Sequence, residues 1–226
     1  MAPLLTVAET ETTSVILPPE SVSDGAATVE ALARALELHD YRRGEFGETG
    51  AHTTRVTQLA LALAERVAPE LLLDPQLAFG FRLHDIGMIG VPSSTLIKPG
   101  PLTPTEIDEI REHPWLGERI VAPVTWLSGL AREVIACHHE RWDGTGYPRG
   151  LRGAEIPLPA RILAIVDAFD AITHDQPYRK ALGVEAAREE IRAMSGTHFD
   201  PELAQVFLTL EEIAKPAELE FAAEQP

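Results

Sequence analysis

Apolar residues recur three or four positions apart along most of this chain, and this spacing constrains the fold more than any other feature. It is clear in two early segments, with Val29, Leu32, Ala33 and Leu36 in the first and Val56, Leu59, Ala60 and Leu63 in the second. Such spacing lines one face of an α-helix. No segment alternates apolar and polar residues as a half-buried strand would, and no repeat of 20–50 residues indicates a solenoid. The sequence therefore predicts an all-α protein, a compact helical bundle.

Local start and stop signals give approximate bounds for the helices. Thr103, Pro104 and Glu106 form a helix start, with an N-cap, a first-turn proline and a capping glutamate. Gly and Pro are frequent in 87–101 and 141–158, which are therefore predicted as loops, the second a long one. The other predicted helices cover about 24–39, 48–67, 74–85, 115–122, 128–140, 159–174, 184–194 and 200–212.

The length and composition favour one domain with short tails. The chain has 226 residues, of which 45% are hydrophobic, enough for one well-buried core. Residues 1–22 lack periodicity and are interpreted as a flexible leader. We expect the domain to span 23–212 and an acidic tail to cover 213–226.

The charge and the cysteine content disfavour several classes of protein. A net charge of -16 without a run of Lys or Arg argues against binding to nucleic-acid polymers or anionic membranes. Bound divalent cations can nevertheless reverse the sign of charge locally. The single cysteine, Cys137, is interpreted as a buried apolar residue rather than a ligand. No signal peptide or long apolar segment is evident, which favours a cytoplasmic protein.

Histidines beside carboxylates or other histidines carry the chemical signal. The chain has eight histidines, and five of them have this pattern: His52, His84, His113, His138 and His139. Imidazole and carboxylate ligands suit Fe, Mn or Zn. Two such ions about 3.5–4 Å apart can clamp a phosphodiester and activate water for its hydrolysis. His39, His174 and His198 are each interpreted as ordinary core or surface residues.

The spacing of these residues suggests how metals could be shared. Glu48 and His52 are four residues apart, so they lie on one helical face if the helix already begins there. His84 and Asp85 are adjacent, which allows a bridging carboxylate beside a terminal histidine. His138 and His139 would diverge by about 100° around a helix and therefore serve different metals.

Several motifs occur together in a fixed order. They are HDIGMIG from His84, HP at 113–114, HHERWDGTGYPRG from His138 and DAFDAITHDQPYR from Asp167. With them the chain resembles the HD-GYP family, a subgroup of the HD phosphohydrolases, over about residues 25–212. The resemblance implies an HD-domain helical bundle with a long Gly/Pro-rich active-site loop. It also implies hydrolysis of cyclic di-GMP to the linear dinucleotide or GMP with two or three Fe or Mn ions.

The same resemblance implies roles for individual residues. His84 and Asp85 would be catalytic, and the metal ligands would be His52, His84, Asp85, His113, His138, His139 and Asp167. Glu48 corresponds to a glutamate that recruits a third metal in part of the family. The substrate contacts would come from Asp143, Gly144, Gly146, Tyr147, Pro148 and Arg179.

Two positions depart from the family pattern. Many members have lysine where this chain has Met88, and arginine where it has Gln176. Three interpretations therefore stay open: a working phosphodiesterase, a catalytically weakened cyclic-dinucleotide binding or interaction module, and a phosphohydrolase of another nucleotide phosphoester. Because no receiver or sensor domain is recognisable, either regulatory input would come from elsewhere, as from a signalling protein partner, or the activity would be constitutive.

Overall fold

The structure, a computed structural model, describes residues 23–42, 48–175 and 180–210. The predicted leader and acidic tail lie outside these residues, as do Gln176 and Arg179. Of Glu48, the structure describes the helical backbone only.

Helices dominate the described residues, which include one isolated β-bridge, between Ser195 and Phe199, and no β-strand. The predicted all-α fold is confirmed. The α-helices are α1 (Ser23–Arg42), α2 (Glu48–Val67), α3 (Leu77–Arg82), α4 (Ser93–Leu96), α5 (Pro104–Arg111), α6 (His113–Val121), α7 (Leu130–Cys137), α8 (Leu158–Thr173), α9 (Val184–Met194) and α10 (Pro201–Phe207). Short 3₁₀ helices cover Pro69–Leu73, Ile86–Gly90 and Gly153–Glu155.

The helix start at Thr103 is confirmed as a complete capping box. The Glu106 N–H donates to the Thr103 hydroxyl at 3.3 Å, and the Thr103 N–H donates to the Glu106 carboxylate at 2.7 Å. The prediction was less accurate for the third helix, which was expected over 74–85 but ends at Arg82. The predicted loop at 87–101 also contains α4 and part of a 3₁₀ helix.

The 3₁₀ helix at Ile86–Gly90 approaches a neighbouring segment closely. It packs against α6, and a Cβ on Gly87 would lie 2.6 Å from the Gly117 backbone nitrogen and closer still to the His113 carbonyl oxygen. Only a residue without a side chain fits here. The contact brings the chain after His84 and Asp85 against the start of α6.

Two large apolar clusters meet at α3. The main cluster joins α2 and α8–α10 and receives Leu77 and Phe81, whereas the second cluster, beneath α1, receives Phe79 and Leu83. The chain therefore leaves α3 between the two clusters, and His84 follows directly. No helix in the described part of the chain is both long enough and apolar enough to cross a membrane.

Candidate metal centre

Seven candidate ligands, which come from five separate parts of the chain, converge in two groups. The first group contains Asp85, His113, His138 and His139, and the second contains His52, His84 and Asp167. Within each group the candidate ligand atoms lie within 4.8 Å of one another. The structure thus brings together all the predicted metal ligands except Glu48, whose side chain lies outside the described residues.

The Asp85 carboxylate lies between the two groups. Its Oδ1 is 3.3 Å from His113 Nε2 and 3.5 Å from His138 Nε2, while its Oδ2 is 3.3 Å from His84 Nε2. One oxygen faces each group, which is the arrangement that a bridging carboxylate requires. In the second group, His52 Nε2 is 3.5 Å from the Asp167 carboxylate.

Backbone carbonyls orient three of the imidazoles. His84 Nδ1 lies 2.8 Å from the Phe81 carbonyl oxygen, His113 Nδ1 lies 2.7 Å from that of Ile110, and His138 Nδ1 lies 3.1 Å from that of Ile135. A carbonyl oxygen only accepts hydrogen bonds, so each Nδ1 must carry the proton. In the neutral rings, each Nε2 then presents a lone pair to the centre.

The arrangement of these lone pairs suits the binding of a cation. His113 Nε2 and His138 Nε2 are 3.0 Å apart, so in the neutral rings two acceptors face each other without a proton between them. His84 Nε2 is buried and makes no hydrogen bond of acceptable geometry. Buried polar atoms normally have partners, and a divalent ion would supply one. The five imidazoles and two carboxylates are ligands that suit transition metals.

The surroundings of the centre shift the pKa values of its histidines in opposite directions. Burial alone would lower the pKa of His84, but the neighbouring Asp85 and Asp167 carboxylates raise it to about 9. Burial also opposes ionisation of Asp85, yet His84, His113 and His138 hold the pKa of Asp85 well below its usual value. Burial and adjacent imidazoles lower the pKa of His138 and, more strongly, that of His139.

Sequence reasoning missed Asp170, which orients His52. The buried Asp170 carboxylate lies 2.7 Å from His52 Nδ1 and accepts from Arg55 Nε at 2.6 Å and Nη2 at 2.9 Å. Burial would raise the pKa of Asp170, but these two partners lower it to about 2. His174, for which no role was expected, has its Nδ1 3.1 Å from the same carboxylate. The available signal was Asp170 one helical turn after Asp167.

The long Gly/Pro loop lies against the first group through Tyr147. The Tyr147 ring stacks on His139, with centroids 4.9 Å apart, and the Arg111 guanidinium lies 5.7 Å from the Tyr147 centroid. The buried Glu140 carboxylate holds the loop by accepting from the Arg149 and Leu151 backbone N–H groups at 2.7 and 3.0 Å.

Other predicted substrate contacts have evident roles in shaping this loop. The Asp143 carboxylate accepts from the Thr145 N–H at 2.9 Å, and Gly144 has a φ of 80°. A Cβ on Gly146 would lie 2.6 Å from Glu140 Cα, so this position also needs glycine. The exposed Pro148 follows Tyr147 in the loop. Contact of any of these residues with a substrate stays a prediction, as it does for Arg179, outside the described residues.

The structure also bears on three other positions that the sequence singled out: the histidine pair at 138–139, Cys137 and Met88. His138 and His139 were expected to serve different metals, but both lie in the first group, with ring centroids 4.3 Å apart. Cys137 is buried in a small apolar cluster, as expected, and burial raises the pKa of its thiol to about 11. Met88 packs against the second apolar cluster, beneath α1.

The chain is similar to a known domain family and to several known proteins. A family model described as HD domain matches residues 30–203. A cyclic di-GMP phosphodiesterase of Thermotoga maritima is 41% identical over 165 residues, 73% of this chain and 45% of that protein. A 3'3'-cGAMP-specific phosphodiesterase of Vibrio cholerae is 38% identical over 162 residues, 71% of this chain and 31% of that protein. This chain therefore spans less than half the length of these relatives.

A solved structure shows the same fold. It is an HDG"Y"P protein from Bdellovibrio bacteriovorus, which matches with a TM-score of 0.58 at 21% sequence identity. The match covers 84% of this chain and 64% of that protein.

Proposed function

This chain belongs to the HD domain family, and on that premise we propose that it is a metal-dependent phosphodiesterase that hydrolyses cyclic di-GMP to the linear dinucleotide, GMP or both. The observation that carries the proposal is the pair of facing Nε2 atoms, 3.0 Å apart, within a convergent set of imidazoles and carboxylates. The names of the relatives support the substrate class.

We propose that the centre holds two or three divalent ions, Fe or Mn. The seven described candidates are the ligands, and Glu48 recruits the third ion. When bound, such ions supply Lewis-acid activation of the phosphodiester and a lowered pKa for water. His84 and Asp85 are the catalytic residues because they connect the two groups and contact each other at 3.3 Å.

The residues around the first group supply the substrate contacts in this proposal. Tyr147 offers its ring to a guanine and its hydroxyl to a phosphate, and the neighbouring Arg111 adds a cation in a chain of net charge -16. Arg179 offers a planar fork that suits a phosphate. Asp143, Gly144, Gly146 and Pro148 shape the loop that presents Tyr147.

Hydrolysis by metal-loaded protein tests the proposed function. The protein is reconstituted anaerobically with Fe or Mn and incubated with cyclic di-GMP and with 3'3'-cGAMP in parallel, and the products are separated by chromatography. We expect linear dinucleotide or GMP from cyclic di-GMP. A protein that holds two ions and hydrolyses neither substrate would contradict the proposal. Elemental analysis should show two or three equivalents of metal, and Glu48→Ala should lower the count by about one.

Asp85→Ala provides the matching negative control. Because Asp85 faces both groups, its loss should abolish turnover, while circular dichroism shows that the helices remain. Near wild-type hydrolysis by this variant, with its metal content verified, would remove the proposed mechanism.

The second candidate function is a catalytically weakened module that binds a cyclic dinucleotide. The apolar side chain of Met88 favours it. An apolar side chain, packed against the cluster beneath α1, stands where many family members have lysine. If phosphate capture alone was lost, Met88→Lys should raise kcat/KM for cyclic di-GMP by roughly ten- to a hundredfold, since a charge-assisted hydrogen bond contributes about 1.5–3 kcal/mol. If metal-loaded wild type bound cyclic di-GMP without hydrolysing it, the chain would be a binding module. If it hydrolysed another nucleotide phosphoester instead, it would be a phosphohydrolase of that substrate.

The cellular setting follows from the same proposal. A cyclic-dinucleotide phosphodiesterase acts where that messenger is made, so we propose a cytoplasmic location. We propose a signalling protein as the source of regulatory input, and neither nucleic-acid polymers nor membranes as partners.

A further inference from the structure

The two groups of candidate ligands differ in what holds their histidines. His113 and His138, in the first group, and His84, in the second, donate Nδ1–H to backbone carbonyls. His52 instead has its Nδ1 2.7 Å from a side chain, the Asp170 carboxylate. A backbone carbonyl is present whatever the sequence, whereas a carboxylate can be lost by one substitution. Of these four histidines, only His52, in the second group, therefore has a replaceable side chain as its Nδ1 partner.

The Asp170 carboxylate is itself held firmly. It is fully buried, and the Arg55 guanidinium donates to both of its oxygens, at 2.6 and 2.9 Å. Such a bidentate pair fixes the plane of the carboxylate as well as its position. Asp170 is therefore oriented before any ion binds.

Helix α8 contacts His52 at both ring nitrogens. Asp167 faces Nε2 at 3.5 Å, and Asp170, one turn later, lies at Nδ1 at 2.7 Å. Because a carboxylate accepts, Asp170 keeps the proton on Nδ1 in the neutral ring and leaves Nε2 free to bind an ion beside Asp167. A carboxylate in this position also increases the basicity of the ligand.

We propose that Asp170, fixed by Arg55, is a positioning residue that sets the affinity of the second group for its ion, so that the two groups load in sequence. The first group, in which backbone carbonyls hold His113 and His138, binds its ion first. The second group, which shares Asp85 with the first, retains its ion only with His52 held by Asp170. This inference rests on the proposed metal centre but not on the identity of the substrate.

A purely structural ion pair is the competing explanation, and the chain provides a matched control. Arg161 donates to Asp200 at 2.7 Å, and this pair resembles Arg55 and Asp170 in burial. Asp200 caps α10 by accepting from the Glu202 N–H at 2.9 Å, and it belongs to neither group of candidate ligands. Asp200→Asn thus reproduces the loss of a buried charge without touching His52.

The experiment is a Mn²⁺ titration of the metal-free full chain. Bound Mn²⁺ is counted by elemental analysis, and electron paramagnetic resonance distinguishes an isolated ion from a magnetically coupled pair. We expect two resolved steps in wild type, with the coupled spectrum only after the second. Asp170→Asn should leave the first step unchanged and weaken the second by about 10- to 100-fold. Asp200→Asn should leave both steps unchanged.

Each other outcome overturns the inference. Equal weakening of both steps by Asp170→Asn, no weakening, or the same weakening in Asp200→Asn would show that the pair is structural. A single cooperative step in wild type would exclude sequential loading. Wild type that binds no Mn²⁺ would remove the proposed function together with this inference, whereas unchanged binding by Asp170→Asn removes this inference alone.

A second measurement keeps the inference testable if Asp170→Asn does not fold. Nuclear magnetic resonance of wild-type metal-free protein, in alkaline solution where the His52 ring is neutral, reports which ring nitrogen carries the proton. We expect the proton on Nδ1. A proton on Nε2 would show that Asp170 does not hold His52 for metal binding.

Discussion

At the scale of single residues, protons would compete with a metal ion for the proposed ligand His84. Its pKa lies near 9 because the attraction of Asp85 and Asp167 outweighs the effect of burial. A ligand nitrogen must lose its proton before it binds an ion. At pH 7 an ion bound by His84 would therefore displace a proton from it.

We expect the apparent affinity for Mn²⁺ to rise with pH until the pKa of His84 is passed. One displaced proton gives about a tenfold increase per pH unit well below the pKa of about 9, and the increase levels off above pH 9 as His84 becomes neutral. The measurement is a Mn²⁺ titration against a competing chelator at pH 7, 8 and 9, with correction for protonation of the chelator. An affinity that is constant over this range would show that His84 is neutral at pH 7 or is not a ligand.

Tyr147, which stacks on His139, is a proposed contact of the substrate. A base stacked on an aromatic ring gains about 1–3 kcal/mol, so Tyr147→Ala should weaken cyclic di-GMP binding by roughly tenfold or more. Tyr147→Phe keeps the ring and should retain most of the affinity, with any remaining loss due to the hydroxyl. Isothermal titration on metal-loaded protein measures both, and equal losses in the two variants would argue against stacking.

At the scale of elements, one side chain connects the long loop to the end of α7. Glu140 is buried and accepts from two backbone N–H groups, those of Arg149 and Leu151. Glu140→Gln replaces one acceptor oxygen with an NH₂ donor and leaves a backbone N–H without a partner. We expect a loss of about 1–3 kcal/mol in stability and faster hydrogen exchange at Arg149 and Leu151.

Glu118→Gln is the control for that variant. Glu118 pairs with the Arg149 side chain at 3.0 Å on the surface, where such a pair contributes about 0–1 kcal/mol. It should leave exchange at the two backbone amides nearly unchanged. If both variants altered exchange equally, the loop would depend on surface charge rather than on the buried carboxylate.

At the scale of the whole molecule, the candidate ligands connect distant parts of the bundle. They come from α2, the segment after α3, α6, the segment after α7, and α8. An ion bound only by the folded state stabilises it by about 4 kcal/mol when its concentration is about 1,000 times Kd. For a domain of this size each kcal/mol corresponds to about 2–4 °C in Tm. Removal of metal with a chelator should therefore lower Tm by roughly 10 °C in differential scanning calorimetry, and an unchanged Tm would indicate that no ion is bound.

Much of the architecture depends on interactions between residues close in sequence and can therefore be predicted from the sequence. The bounds of α2 and α9 were predicted as observed, because apolar periodicity and stop signals act within a few turns. The capping box at Thr103 is local in the same sense. The seven candidate metal ligands were identified from the family resemblance, and the structure brings them together, although their binding of metal stays a prediction.

Tertiary structure alone decided how these residues are arranged and supported. His52 and Asp170 are 118 positions apart, and no local pattern states that their side chains meet. His138 and His139 lie in one group with Asp85 and His113, which adjacency in the sequence did not indicate. Met88 packs beneath α1 because two distant segments share an apolar cluster. Motif and periodicity thus identified the candidate ligands, and long-range packing determined which of them lie in one group and which side chains hold them in place.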